Sequence, residues 1–144
     1  MPRKESPELA ALRKQAQAGD PDAQYAIGCR YFEGEGVRKD YVEALRWYRL
    51  AAARNHNSGL CDVGYCYRNG LGVEQDFAKA VPFYRQAADQ GCPTGAYWLA
   101  CAYHHAQGVR KDLAKAEHWY KIARERGDSD APQALKELAT SRRK

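Results

Sequence analysis

Small and apolar residues recur along the chain at the spacing of helix faces, in pairs of stretches separated by a glycine-containing segment. In the first such pair the residues are Ala23, Ile27, Gly28 and Tyr31, followed by Ala44, Trp47, Tyr48 and Ala51. Each set lies on one face of a helix when it is drawn at helical periodicity. The pattern therefore predicts helical hairpins in which small residues of the first helix face aromatic rings of the second.

The same pattern returns at an interval of 36 residues. The recurring positions are Gly36, Gly72 and Gly108; Val37, Val73 and Val109; Asp40, Asp76 and Asp112; and the aromatic pairs Trp47-Tyr48, Phe83-Tyr84 and Trp119-Tyr120. Periods of about 20 to 50 residues mark solenoids, propellers or arrays, and one hairpin cannot bury these faces alone. We expect an all-α fold, an α-solenoid of helical hairpins with three 36-residue repeats and a half-repeat helix at each end. About eight helices and no strand are predicted.

The repeat frame also predicts how the chain is divided. A single α-solenoid domain would cover residues 1–144, with an N-terminal capping helix at 7–19, repeats at 20–55, 56–91 and 92–127, and a C-terminal capping helix at 128–141. Residues 1–6 are predicted to be a disordered leader. Asp20 before Pro21 is typical of a helix start, and Asp40 with Glu43 three residues later forms a capping-box pattern. Pro82 should kink the second helix of the middle repeat, and Ala106 replaces a loop glycine, so the third loop is expected to turn differently or to extend its helix.

Composition narrows the function classes. The net charge of +5 lies largely in the flanks, because residues 21–120 carry 12 basic and 11 acidic side chains. No run of 18 apolar residues is present, and residues 1–20 contain no apolar signal core, so we expect neither a membrane span nor a secretory signal. The five cysteines are odd in number and lack C-x-x-C spacing, which favours thiols in a reducing cytoplasm.

One complete copy of the repeat, Ala23 to Ala52, reads A-x-x-x-[LIV]-G-x-x-Y-x-x-G-x-G-V-x-x-D-x-x-x-A-x-x-[WF]-Y-x-x-A-A. Gly59 to Ala88 is nearly complete, and the third copy departs from it at Ala100, Ala106 and Arg124. With these residues the chain resembles the Sel1-like repeat family, relatives of the tetratricopeptide repeats. The resemblance implies a right-handed superhelix and a role as a protein-binding adaptor or scaffold rather than an enzyme.

In tetratricopeptide-like solenoids the first-helix face that is not used for packing lines a concave groove, and the resemblance places the partner site there. The predicted partner-binding residues are Tyr25, Phe32, Tyr65, Arg68, Asn69, Tyr97, His104 and His105. Aromatic and arginine anchors dominate many interfaces, and we expect Tyr65 and Arg68 to form the centre. The same face also holds Cys29, Cys61 and Cys101. In a second interpretation, Tyr25, Tyr65 and Tyr97 only pack against neighbouring repeats.

Other functions have less support in the sequence. Single-stranded RNA binding is an alternative, because some helical-hairpin repeats read RNA, yet Cys29, Tyr65 and Cys101 stand where basic residues would be needed. A hydrolase acting on peptide or cell-wall fragments is a third hypothesis. Cys101 and His105 could form one edge of a metal site, but further ligands are missing, so neither a metal nor a cofactor is predicted. The Gly-x-Gly-Val loops follow helices rather than strands and are not dinucleotide motifs.

Overall fold

The computed structural model describes residues 4–143, and the regular secondary structure within that range is entirely α-helical. The helices are α1 (Pro7–Gln17), α2 (Pro21–Glu33), α3 (Tyr41–Ala53), α4 (Asn57–Asn69), α5 (Phe77–Asp89), α6 (Pro93–His105), α7 (Leu113–Glu125) and α8 (Ala131–Arg143). The described part of the chain thus confirms the predicted all-α fold with eight helices and no strand. Half of the predicted leader, residues 1–3, and the last residue of the basic tail lie outside the described residues.

The helices form two compact units, Met1–Gln75 and Asp76–Lys144. In the first unit α1 packs on α2, α2 on α3 and α3 on α4, and in the second unit α5 to α8 pack in the same sequential way. The core of the first unit includes Leu9, Ile27 and Trp47, with Val37 of the loop packed against it. In the second unit Leu99, Tyr120 and Leu138 are fully buried. The valine of the loop therefore contributes to the core, as its recurrence predicts.

Each second helix of a hairpin begins at an aspartate whose side chain caps it. The Oδ1 atoms of Asp40, Asp76 and Asp112 accept hydrogen bonds of 3.0 to 3.1 Å from the backbone N–H groups three residues on. The capping box predicted at Asp40 is only half formed. The Asp40 N–H donates to the Tyr31 carbonyl at 2.9 Å, and the Glu43 carboxylate instead pairs with Arg46. An aspartate alone is thus sufficient for this cap.

The loops follow one geometry even where the sequence departs from the repeat. Helix α6 ends at His105, and Ala106 takes a left-handed φ of 54°, close to the 74° and 66° of Gly34 and Gly70 at the ends of α2 and α4. The expectation of a different turn or a longer helix was therefore wrong. The hairpin geometry imposes the left-handed conformation on Ala106, although this conformation costs an alanine roughly 1–2 kcal/mol. Helix α5 continues through Pro82 to Asp89.

Candidate functional site

In the first unit, helices α2 and α4 share a pocket of about 250 Å³. It is lined by Tyr25, Cys29, Phe32 and Glu33 of α2, Tyr48 of α3, and Asp62 and Tyr65 of α4. We refer to it as the α2–α4 pocket. Three of the predicted partner-binding residues, Tyr25, Phe32 and Tyr65, are therefore brought together by the fold.

Aromatic rings form most of the wall of this pocket. The Phe32 ring lies 6.4 Å from Tyr65 in an edge-to-face arrangement and 6.2 Å from Tyr48. Tyr25 approaches Tyr48 to 5.4 Å. Tyr48 can lie this close to α2 because Gly28 has no side chain. A Cβ added at Gly28 would stand only 2.6 Å from the Tyr48 ring. The small residue of the first helix thus admits the aromatic ring of the second, as the pattern predicts, and Tyr65, 37% exposed, is left at the rim.

A carboxylate interrupts the aromatic wall. Asp62 accepts a hydrogen bond of 2.8 Å at Oδ2 from the Tyr25 hydroxyl. Burial raises the pKa of Asp62, while the Tyr25 hydrogen bond and the nearby His56 act in the opposite direction. Burial and then the Asp62 carboxylate raise the pKa of Tyr25, so its phenol stays protonated and donates. On the pocket floor, the Tyr48 hydroxyl lies 3.6 Å from Cys29 Sγ.

His56 supports this arrangement from the N-terminus of α4. Its Nδ1 accepts from the Gly59 N–H at 3.0 Å and so caps the helix. Its Nε2 lies 3.0 Å from Asp22 Oδ1, and its ring stacks on Tyr25 at 4.8 Å. Since Nδ1 accepts a hydrogen bond, the neutral ring donates from Nε2 to Asp22. His56 therefore holds Tyr25 in place beside Asp62.

Sequence reasoning identified the rings of this pocket but not its polar residues. Asp62 has Ala26 and Trp98 as its counterparts one repeat away, so it is a departure from the repeat rather than part of it. A residue that departs from the repeat on such a face is a sequence signal for a candidate functional residue. The role of the Asp62 side chain depends on the neighbouring helix α2, because its hydrogen-bond donor, Tyr25, lies 37 residues earlier in the chain.

The remaining predicted residues of α4 lie beyond the pocket. Asn69 is exposed, and its side-chain N–H donates to the Tyr65 carbonyl at 3.0 Å. Arg68 is half-buried, and its carbonyl accepts from the Gln75 side chain at 2.8 Å. Neither residue lines the α2–α4 pocket, so of the predicted central pair Tyr65 and Arg68 the pocket contains only Tyr65.

In the second unit the structure corrects part of the predicted face. His104 is only 7% exposed, with Nδ1 3.0 Å from the Tyr120 hydroxyl and its ring 4.2 Å from that of His105. Burial and His105 lower the pKa of His104. The predicted exposure of His104 is therefore wrong, because its ring fills the space beside Tyr120. Tyr97 is half-buried, 5.8 Å from Tyr120, and His105 is exposed.

Two of the three cysteines on this face are buried, and Cys29 is half-buried. Cys61 and Cys101 are each 6% exposed, and Cys101 Sγ lies 3.5 Å from the Tyr120 hydroxyl. All five cysteines are thiols in the structure. Within residues 4–143, no group of three or more His, Cys, Asp and Glu side chains is placed to hold a metal ion. The two residues Cys101 and His105 thus lack further ligands in the described part of the chain.

Three consecutive segments, residues 21–56, 58–92 and 93–128, match the Sel1 repeat. The chain belongs to the Sel1 repeat family. Proteins with Sel1 repeats are generally protein-interaction modules, and the family is typically a non-catalytic scaffold. The residues that recur every 36 positions are therefore those of the family's helical hairpin. No helix in the described range has the length and apolar character needed to cross a bilayer.

Several known proteins share this fold. The chain is similar to a protective antigen of uropathogenic Escherichia coli that displays an SLR fold, with 36% identity and a TM-score of 0.85 over 88% of this chain and 27% of that one. A Sel1 repeat protein from Oxalobacter formigenes is 35% identical with a TM-score of 0.82, over 88% of this chain and 51% of that one. Helicobacter pylori cysteine rich protein B, at 21% identity and a TM-score of 0.71 over 92% of this chain and all of that one, shares the fold.

Among curated proteins, the chain is similar to the secretory immunoglobulin A-binding protein EsiB of Escherichia coli O6:H1. The identity is 40% over 43 residues, which is 30% of this chain and 9% of that protein. The chain thus spans less than two thirds of the length of this relative and of the two most similar structures described above. This chain and the solved structures described above share a helical-repeat solenoid fold, which is an array of helical hairpins.

Proposed function

We propose that this chain is an adaptor or scaffold module that holds a peptide segment of a partner protein against the first-helix face, and that it is not an enzyme. The observation that carries the proposal is the α2–α4 pocket, where the exposed ring of Tyr65 and the half-buried rings of Phe32 and Tyr25 meet. Rigid aromatic side chains supply much of the binding energy at protein interfaces. A pocket of about 250 Å³ lies below the range of small-molecule sites, roughly 300–1,000 Å³, and suits one side chain of a peptide.

The comparisons support a protein as the partner class. Sel1 repeats mediate protein–protein interaction, and the name of one partial relative states that it binds an immunoglobulin. The alternative, single-stranded RNA, is less well supported by the chemistry of the pocket. In the part of the chain that the structure describes, the lining contains the carboxylates of Asp62 and Glu33 and no basic side chain. These carboxylates would repel phosphates.

We also propose a reducing, cytoplasmic setting, supported by the five cysteine thiols. Burial, with a contribution from Asp62, raises the pKa of the Cys66 thiol to about 12, which disfavours the reactive thiolate. Mass spectrometry of the native protein, alkylated before and after unfolding, is expected to find no intramolecular disulfide. An intramolecular disulfide in protein isolated from its own cells would contradict the compartment.

Tyr65→Ala is expected to weaken binding of a selected peptide by roughly 1–3 kcal/mol. The change should lower the free energy of unfolding by about 1 kcal/mol at most, since Tyr65 gives up mainly its edge contact with Phe32. The ligands are peptides selected from a random library on the intact chain, and calorimetry measures their dissociation constants.

Leu50→Ala is the matched control for this experiment. Leu50 is 41% exposed, much like Tyr65 at 37%, but it lies on α3. We expect the control to leave peptide binding unchanged. Equal losses for the two variants, or no loss for Tyr65→Ala, would place the binding surface elsewhere.

A further inference from the structure

The α2–α4 pocket combines aromatic rings with negative charge. Among the described residues its lining holds two carboxylates, Asp62 and Glu33, and no lysine or arginine. Asp62 takes one hydrogen bond, from Tyr25, at Oδ2, and within residues 4–143 its carboxylate forms no ion pair. The net charge of the whole chain is +5, so the local charge of the pocket is opposite in sign to the net charge of the chain.

The rings are placed to favour a cation as well. Aromatic faces carry negative potential and attract an ammonium or guanidinium group within about 6 Å of the ring centre. The Phe32 ring lies 6.4 Å from that of Tyr65 and 6.2 Å from that of Tyr48, and its plane is inclined to theirs by 61° and 45°. The rings of Tyr25, Phe32, Tyr48 and Tyr65 all line the pocket, so a cation that enters it lies among several aromatic side chains.

The partial burial of Asp62 adds a free-energy argument. Lost hydration raises the pKa of this carboxyl group, which means that the charged form is poorly compensated by its surroundings. The titratable groups near it are the Tyr25 hydroxyl on α2, the Tyr48 hydroxyl on α3, His56 at the start of α4 and the Cys66 thiol on α4. An entering cation would restore the missing compensation, and a neutral side chain would not.

We propose that the α2–α4 pocket binds the side-chain cation of a lysine or arginine in a partner's peptide segment. This inference rests on the proposed function and specifies the chemistry of its ligand. The ammonium or guanidinium group would lie between Asp62 and the rings, and the aliphatic stem would lie along Tyr65 at the rim. The feature is specific to this unit, because the residues one repeat after Asp62 and Tyr65 are Trp98 and the buried Cys101.

The test is a nuclear magnetic resonance titration of the intact chain with three probes. These are the Nα-acetyl methylamides of lysine, arginine and norleucine, the last having the stem without the charge. We expect saturable shifts of backbone amides in α2 and α4 with the lysine or arginine probe, and binding at least about tenfold weaker for norleucine.

Two variants assign the effect to the pocket. Asp62→Asn keeps an acceptor for the Tyr25 hydroxyl but removes the charge, and we expect about tenfold weaker binding of the cationic probe. Phe32→Leu keeps apolar volume and removes a ring, so binding should also weaken. Glu8→Gln, at an exposed carboxylate of α1 in the same unit, is the control and should change nothing. Comparison of the amide spectra shows that each variant is folded.

Three results would overturn the inference: equal shifts with the norleucine probe, no shifts of pocket amides with any probe, or an unchanged titration of both Asp62→Asn and Phe32→Leu. Failure of the proposed function looks different. If selected peptides depend on Tyr65 but need no basic residue, only the cation pocket is wrong. If no peptide depends on Tyr65 while the lysine probe still binds at Asp62, the peptide-holding function is wrong.

Discussion

Gly108→Ala is expected to lower the free energy of unfolding by roughly 2–5 kcal/mol, because two penalties coincide at this loop position. Gly108 has a φ of +80°, a conformation that costs an alanine roughly 1–2 kcal/mol. A Cβ there would also stand 2.4 Å from the Phe77 carbonyl oxygen and 2.5 Å from its carbon. Both are backbone atoms at the start of α5 and cannot rotate away, so overpacking adds roughly 1–3 kcal/mol.

Gly127→Ala is the matched control. Gly127 lies in the same unit with a φ of +96°, but a Cβ there would meet nothing within 4 Å. The change should therefore cost only the conformational penalty of roughly 1–2 kcal/mol. Urea denaturation of the two variants and the parent chain measures both. Equal losses would mean that the loop moves away from α5 at little cost and that the close approach is not a constraint.

The positive φ of the loop glycines could be predicted from their recurrence, but the close approach could not. Gly72 shows the same geometry, with the Tyr41 carbonyl oxygen 2.5 Å from a built Cβ. The loop after one first helix thus lies against the start of the preceding second helix. The recurrence in the sequence indicates that every unit needs a glycine at this position. The backbone that excludes a side chain there lies far earlier in the chain, at Tyr41 for Gly72 and at Phe77 for Gly108.

One recurring interaction escaped the sequence reasoning although it follows the same period. The hydroxyls of Tyr31, Tyr67 and Tyr103 accept hydrogen bonds from Arg13, Arg49 and Arg85, at 3.0, 2.7 and 2.6 Å. The pattern places Tyr31 on the packed face but assigns no role to the arginines, which lie on α1, α3 and α5. An arginine on a polar face gives no signal of its partner until the distance between the helices is known.

The candidate site was predictable to the extent that it belongs to the repeat. The phase of Tyr25, Phe32 and Tyr65 followed from helical periodicity, since the recurring small residues fix the packed face. Helical periodicity, however, gives the direction of a side chain around the helix axis only coarsely. It does not tell how much of that helix face is buried by neighbouring helices. His104 lies at the edge of it and is buried, with its Nδ1 3.0 Å from the Tyr120 hydroxyl. Asp62 and His56 act through a neighbouring helix, so only the folded arrangement reveals them.

Tyr120→Ala should lower the free energy of unfolding by roughly 3–5 kcal/mol, the range for truncating a large buried aromatic. Tyr120 is 1% exposed and stands opposite the first helix of its own hairpin, so the cavity would lie in the core of the second unit. Its hydroxyl is 3.0 Å from His104 Nδ1 and 3.5 Å from Cys101 Sγ. The change therefore also leaves a buried imidazole without this partner, which places the loss toward the upper end of the range.

Two conservative variants separate the ring from the hydroxyl. Tyr120→Phe keeps the ring and removes the partner of His104, and we expect a loss of roughly 1–3 kcal/mol. Tyr48→Phe changes the equivalent residue of the first unit, whose hydroxyl lies 3.6 Å from the weakly accepting Cys29 Sγ, and should cost less than about 1 kcal/mol. Urea denaturation followed by circular dichroism measures all three. If Tyr120→Phe costs no more than Tyr48→Phe, the hydrogen bond to His104 does not stabilise the fold, and the burial of His104 must be explained by ring packing alone.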